Sequence, residues 1–339
     1  MRFTIQEARQ LVEATMAAAG HTAKEAAIIA DHLIDCELRG LAYGGLARAI
    51  SIVERIRRTS TPRRPITLLQ ETPFSASLDG GDNVGYLVGA HCTGVAIDKA
   101  QQTGVAVIGA SKTWFTGMYS YYLERIVAKG FVGMIAGSGT QLVAPHGGTE
   151  GRYGTNPIAF GFPSTTTPVI WDIGTSNVMI GEVALKARLG QQLPEGQAFD
   201  AEGRPTRDPA AALGGAFAVW GGHKGSGLAM MIQMLAMMTG QVIAPGPQRD
   251  SGLFILAVKP AMVGSGDDFP ARVAEYAQSI RNVRPLDPAQ PVRVPFDRSI
   301  DQRNQRLAAD AIEVPDKVVD TLRGIIAERR DASHWALPA

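Results

Sequence analysis

The chain has only two cysteines in 339 residues, Cys36 and Cys92, with no Cys-x-x-Cys and no Cys/His spacing. Neither a disulfide framework nor a structural zinc site is supported by such spacing, and two reduced, buried thiols are expected. An excess of one charge is missing as well. The 33 Lys and Arg residues nearly balance 32 Asp and Glu, leaving +1, and no basic run offers nucleic acid a footprint. The longest apolar run, Gly227 to Gly240, is shorter than the roughly 20 residues of a membrane span and contains Gln233. A buried core helix is expected there. Charges interrupt the first residues, MRFTIQEARQLVEATM, so they read as an amphipathic helix rather than a signal peptide. The cytoplasm is the expected compartment, and no motif signals a metal.

Aromatics make up only 6% of the chain while glycine is abundant at 38 residues, which favours a loop-rich α/β or α+β enzyme over a helical bundle. The length predicts one large or two interleaved domains. Thr4-Ile5-Gln6-Glu7 and Thr22-Ala23-Lys24-Glu25 are capping boxes ahead of apolar periodicity and predict two helices. In the second, Ala26, Ile29, Ala30, Leu33 and Glu37 recur at helical spacing. A third helix is expected over Leu46 to Arg57, and an extended connection over Thr61 to Thr72.

Further on, a helix fits Tyr86 to Thr103, and strand-like runs cover 104–110, 131–137, 157–163 and 168–174. A helix at 223–239, a strand at 253–260 and helices at Ala271–Asn282 and Pro315–Arg329 follow. Strand signals in succession without intervening helices predict a mostly antiparallel or mixed sheet flanked by helices. The segments expected are a helical part with a catalytic loop (1–75), a core binding cofactor and substrate (76–285), and a C-terminal part (286–339) returning to the first helices.

No G-x-G-x-x-G lies between a strand and a helix, and GGHKGSG at Gly221–Gly227 lacks the Gly-Lys-Ser/Thr order of a P-loop. Glycines ahead of a long helix still place free N–H groups and a positive dipole end at one spot. His223 and Lys224 add donors there, so the segment is either an anion site or a turn that lets the helix pack tightly.

Several segments, taken in order, resemble the type 2 malate/L-lactate dehydrogenases. They are VAPHGGTEGRYGTNPIAFGFP (143–163), WDIGTSNVMIGEV (171–183), GQQLPEGQAFDAEGRPTRDP (190–209), GGHKGSGLAMM (221–231) and RVPFDR (293–298). With Arg39-Gly40, the likeness runs over nearly the whole chain. Within that family the sequence is most similar to the Δ1-piperideine-2-carboxylate and Δ1-pyrroline-2-carboxylate reductases. The resemblance implies a non-Rossmann nicotinamide-binding fold and a homodimer with its active site near the subunit interface. It also implies reduction, by NADPH or NADH, of a C=O or C=N bond beside a carboxylate.

Carried onto this chain, the resemblance makes Arg48 the substrate-carboxylate ligand, a task suited to a guanidinium that pairs with two oxygens. Thr155, Ile180 and Gly181 would contact substrate. Asp172, Ile173 and Gly174, His223 and Lys224, Trp114 and Phe115, and Arg293 and Arg298 would approach the cofactor. The family loop, Arg-Gly-His-x-Ser-His-Gly-x-x-Arg, is here Arg39-Gly40-Leu41-Ala42-Tyr43-Gly44-Gly45-Leu46-Ala47-Arg48. The family serine falls on Tyr43, and the proton-donating histidine on Gly44. The acidic partner of that histidine falls on Glu182. Trp114 stands where the family has a histidine before Phe115, and Phe296 where it usually has glycine.

Glycine donates no proton, so a reaction that protonates an alkoxide is handicapped, whereas hydride addition to an iminium gives a neutral amine directly. A reductase of a small cyclic imine bearing a 2-carboxylate is therefore expected. One alternative is a 2-hydroxy acid or ureidoglycolate-type dehydrogenase with Tyr43 as substitute acid/base, aided by a cation such as Lys112. Tyr119, Tyr121 and Tyr122 are further candidates, though packing at a helix edge also explains them. The other alternative is a dinucleotide-binding protein that has lost redox turnover.

Overall fold

The computed structural model describes residues 1–331 apart from 265 and 267. The chain divides into two compact units. The smaller one holds Met1–Pro62, Arg188–Gly190 and the described residues from Asp301 onward; the larger one holds Arg63–Ala187 and Gln191–Ile300.

The smaller unit opens with β1 (Arg2–Phe3), α1 (Ile5–Ala18), α2 (Ala23–Leu38), a 3-10 turn (Ala42–Gly44) and α3 (Leu46–Arg58). The larger begins with β2 (Thr67–Glu71), β3 (Ser75–Val84), α4 (Gly85–Thr103), β4 (Val105–Trp114) and α5 (Tyr119–Val127). It continues through β5 (Val132–Ser138), β6 (Val143–Ala144), β7 (Ile158–Phe162), β8 (Val169–Ile173), α6 (Ile180–Leu189) and β9 (Ala198–Phe199). Next come α7 (Pro209–Gly214), β10 (Ala216–Ala218), α8 (Gly222–Met238), β11 (Ser251–Val258) and α9 (Phe269–Arg281). The last elements are α10 (Asp297–Ala309), β12 (Ile312–Glu313) and α11 (Asp316–Asp331).

Both capping boxes form as the spacing predicts. Thr4 and Thr22 accept from the N–H of Glu7 and Glu25, and each glutamate reaches back to the cap N–H at 2.8 Å. That satisfies orphan donors at both helix starts. The helices of this unit bury Val12, Met16, Ile29, Leu33, Ile50 and Leu322 against one another, and β1 pairs antiparallel with β12.

The larger unit is built on a mixed seven-stranded sheet in the order β2-β3-β4-β11-β5-β7-β8. Only β3 and β4 run parallel, with α4 between them in sequence; every other neighbouring pair is antiparallel. A second sheet, β6-β10-β9, covers its own core of Val143, Val183, Leu193 and Phe217. The main core lies among Leu78, Val88, Ile108, Tyr122, Leu123 and Ile255.

Two expectations need correction. The helix at 223–239 is not buried all round: Met230, Met231, Met234, Met237 and Met238 of α8 are exposed, while Ala229, Ile232 and Ala236 pack inward. Part of the extended connection at 61–72 is a paired strand, β2, whose residues are all exposed. Strand β3, with the sequence SASLDGGDNV, lies inside the sheet and is not among the strand signals read from the sequence. Glycine is needed there: a Cβ on Gly80 would stand 2.8 Å from the Ser111 carbonyl of β4. Among the described residues, no helix is long and apolar enough to cross a membrane.

Candidate active site

In the smaller unit the loop that joins α2 to α3 carries Arg39, Tyr43 and Gly44 and leads to Arg48 on α3. Arg39 caps α2, and its guanidinium is buried against Asp35, with Nε 2.7 Å from Oδ2. Arg303 meets the other oxygen of Asp35 at 2.9 Å. Gly40 takes a left-handed φ of 82°, and a Cβ there would approach Gln302 Oε1 to 2.6 Å. This tied base leads into the 3-10 turn, on which Tyr43 and Gly44 are half-buried. Arg48 lies in the first turn of α3, 8% exposed, with its N–H donating to the Gly45 carbonyl at 2.9 Å.

Two groups under this loop carry weight that the sequence did not reveal. The Cys36 thiol faces Gly44, and a Cβ there would be 3.3 Å from Sγ. Burial pushes the thiol well above its ordinary range. Glu37, read from the sequence only as a helix position, is 3% exposed and accepts the Leu46 N–H at 2.8 Å. Burial raises its carboxyl to about 7, against the opposing pull of the Leu46 N–H and of Arg306.

In the larger unit a chain of backbone bonds joins three of the predicted segments. The Thr175 N–H donates to the Thr155 carbonyl at 2.9 Å, and the Trp220 N–H donates to the Thr175 carbonyl at 2.8 Å. This ties half-buried Thr155 and the Ile173-Gly174 turn to the approach of α8. Fully buried Asn156, at a φ of 36°, donates to the Ala229 carbonyl of α8 at 2.8 Å. Ile180, Gly181 and Glu182 open α6 further along the same stretch, and Glu182 lies 3.9 Å from Lys186.

At the start of α8, Gly221 and Gly222 have φ of 66° and 59°. His223 and Lys224 are exposed beside them. His146, which sequence reading passed over inside VAPHGG, lies with its ring 6.3 Å from that of His223, and its backbone N–H donates to Ser226 Oγ at 3.1 Å. Helix-end N–H groups, an ammonium and imidazoles make a donor set suited to an anionic group such as a dinucleotide phosphate.

Other predicted residues lie elsewhere in the larger unit. Trp114 is buried at the end of β4, its indole N–H donating to the Asp82 carbonyl at 2.9 Å, and Phe115 meets it edge-on. Asp172 accepts the Ser120 N–H at 2.8 Å in the first turn of α5. Arg293 and Arg298 are exposed on either side of Asp297, whose carboxylate binds Arg281 at 2.7 Å and is held low by that bond. Between them, Phe296 is buried at a left-handed φ of 85°.

The tyrosine cluster is packing. Tyr119 and Tyr122 are fully buried, bonded to Thr116, and pushed upward by burial. The Arg125 guanidinium donates to the Tyr121 hydroxyl and lies 4.1 Å from its ring centre. Lys112 is bound to Asp79 at 2.7 Å. Among the described residues no group of three or more His, Cys, Asp or Glu is placed to hold a metal ion.

A family model described as Malate/L-lactate dehydrogenase matches residues 3–323. The L-sulfolactate dehydrogenase of Methanothermobacter thermautotrophicus is 31% identical and covered over 97% of both chains. The Delta(1)-pyrroline-2-carboxylate reductase of Ancylobacter novellus is 32% identical over 93% of this chain and 94% of its own. A solved dehydrogenase from Sinorhizobium meliloti superposes with a TM-score of 0.88 at 32% identity, covering 96% of this chain and 98% of that one. Identity thus favours neither an imine nor a hydroxy acid.

Proposed function

The chain belongs to the malate/L-lactate dehydrogenase family, and from that membership we propose that it is a nicotinamide-dependent reductase of a small cyclic imine bearing a 2-carboxylate. The observation that carries this reading is the loop of the smaller unit. Arg48 is kept, buried in the first turn of α3, while the position of the family's proton donor is Gly44. The loop retains a carboxylate ligand and lacks an acid.

Within the smaller unit, Arg48 binds the substrate carboxylate through its two-pronged guanidinium. Within the larger unit, we assign Thr155, Ile180 and Gly181 to substrate. We assign the start of α8, with His223 and Lys224, to cofactor phosphates, and Ile173, Gly174, Asp172, Trp114, Phe115, Arg293 and Arg298 to the rest of the cofactor, NADPH or NADH. When bound, that cofactor supplies the hydride. Addition at the carbon of a protonated C=N bond moves the π electrons onto nitrogen and leaves a neutral amine, so the protein need deliver no proton in that step. A 2-oxo acid would leave an alkoxide, and an absent general acid there costs roughly 10²–10⁴-fold in rate.

Likeness to the sulfolactate dehydrogenase, 31% identical, supports a second reading, a 2-hydroxy acid dehydrogenase in which half-buried Tyr43 serves as acid/base. We also read the chain as a cytoplasmic homodimer, supported by two buried free thiols and by the exposed methionine face of α8.

The test follows nicotinamide absorbance of the purified protein with Δ1-pyrroline-2-carboxylate, Δ1-piperideine-2-carboxylate and, in parallel, pyruvate. Turnover of an imine with little or none of pyruvate is the expected result. Prompt pyruvate reduction that disappears in Tyr43→Phe would transfer the assignment to the second reading.

A further inference from the structure

Glu37 is a buried titratable group that the proposed chemistry does not use. It stands one residue from the end of α2, and its Oε1 accepts the Leu46 N–H at 2.8 Å. Helix α3 has no cap of its own. Its N-cap residue is Gly45, no side chain bonds to its first amides from that position, and no acidic residue lies in its first turn. In most helices an Asp, Asn, Ser or Thr at the N-cap does this work. Here the carboxylate comes from the preceding helix and occupies the place where a Gly45 side chain would be, since a Cβ there would overlap it. The Arg48 N–H closes the same turn onto the Gly45 carbonyl at 2.9 Å.

We propose that Glu37 is the positioning residue of the loop, capping α3 from outside and so fixing where Arg48 presents its guanidinium. This rests on the reading of Arg48 as the carboxylate ligand; Glu37 itself has no contact with substrate in this scheme.

A proton is part of the device. With the segment closed, burial raises the carboxyl from 4.5 to about 7. With the segment open, water restores the ordinary value, so the closed form holds its proton more tightly than the open one. The closed form therefore loses ground as pH rises from 4.5 to about 7 and reaches a lower plateau beyond. The charged and titratable groups on the elements around Glu37 include Arg48 and buried Arg55 on α3, Tyr43 on the 3-10 turn, and, on α2, Cys36, buried His32 and the Asp35–Arg39 pair. From α10 come Arg303, paired to Asp35, and Arg306, which donates to the Glu37 carbonyl.

Hydrogen exchange of the segment 41–50, read by mass spectrometry on the full chain without ligand, tests this in wild type, Glu37→Gln and Glu37→Ala. After correction for intrinsic rates, opening in the wild type should increase roughly tenfold between about pH 6 and about pH 8. Glu37→Gln keeps an acceptor but no titrating proton, so that step should vanish. Glu37→Ala should open the segment about fivefold more at low pH, the usual size of a lost cap, with a matching rise in KM for Δ1-pyrroline-2-carboxylate and no change in Kd for NADPH. Equal exchange in all three proteins overturns the proposal, as does a loss of protection spread evenly over the chain. Should Glu37→Ala not fold, the pH step in Glu37→Gln decides alone. Arg48→Gln separates the two readings: an unaltered KM there removes the carboxylate-ligand assignment while the exchange result still judges the cap.

Discussion

Gly44 has no side chain, and the turn that carries it admits a Cβ with a small adjustment. A Cβ would stand 3.3 Å from Cys36 Sγ, so the thiol must yield only a few tenths of an ångström. Gly44→His should therefore fold, and it restores an imidazole at the position where the family keeps its proton donor. We expect kcat/KM for pyruvate to rise by about 10² or more over wild type, in line with general acid catalysis, while imine reduction changes far less. A well-folded Gly44→His with no gain would mean that some other feature of the loop sets the substrate. Reading the sequence singles out Gly44 and Arg48 because they stand inside a spaced motif. It missed the weight of Glu37, because a glutamate at a helical position looks like a solvated face until its burial is known.

Elements whose start is specified locally were legible. The threonine and the glutamate that close each capping box lie three residues apart, so no distant contact is needed to form them. Thr22→Ala removes the side chain that accepts the Glu25 N–H and should cost about 1 kcal/mol, seen as a lowered thermal midpoint without loss of cofactor affinity. An unchanged midpoint would show that packing alone holds α2. Strand β3 was not legible, because Gly80 serves the close approach of β4 and Gly81 that of the Arg64–Pro65 backbone, neighbours that sequence does not announce. Phe296 makes the same point from the other side. Its left-handed φ of 85° suits the glycine that the family usually has there, while its ring is buried in the main core. The packing of a large side chain offsets the backbone strain.

For the whole molecule, the exposed apolar face of α8 bears on assembly. Met230, Met231, Met234 and Met238 continue into exposed Val242 and Ile243, a patch of the kind that marks an interaction surface. If the chain is a homodimer through this face, sedimentation of the wild type should give the mass of two copies, and Met231→Lys with Met234→Lys should shift it to one. A double variant that stays dimeric would place the interface elsewhere. The sequence alone determined the first two helices with their capping boxes, the strand segments of a mostly antiparallel or mixed sheet, and the loop Arg39–Arg48 with glycine at position 44. All of these are written in short-range spacing or in ordered motifs. Only the tertiary structure decided that α8 turns five methionines outward, that Tyr119 and Tyr122 are core, and that a buried glutamate caps α3. Exposure, dielectric surroundings and bonding partner are properties of the packed neighbourhood, and residues far apart in the chain create it.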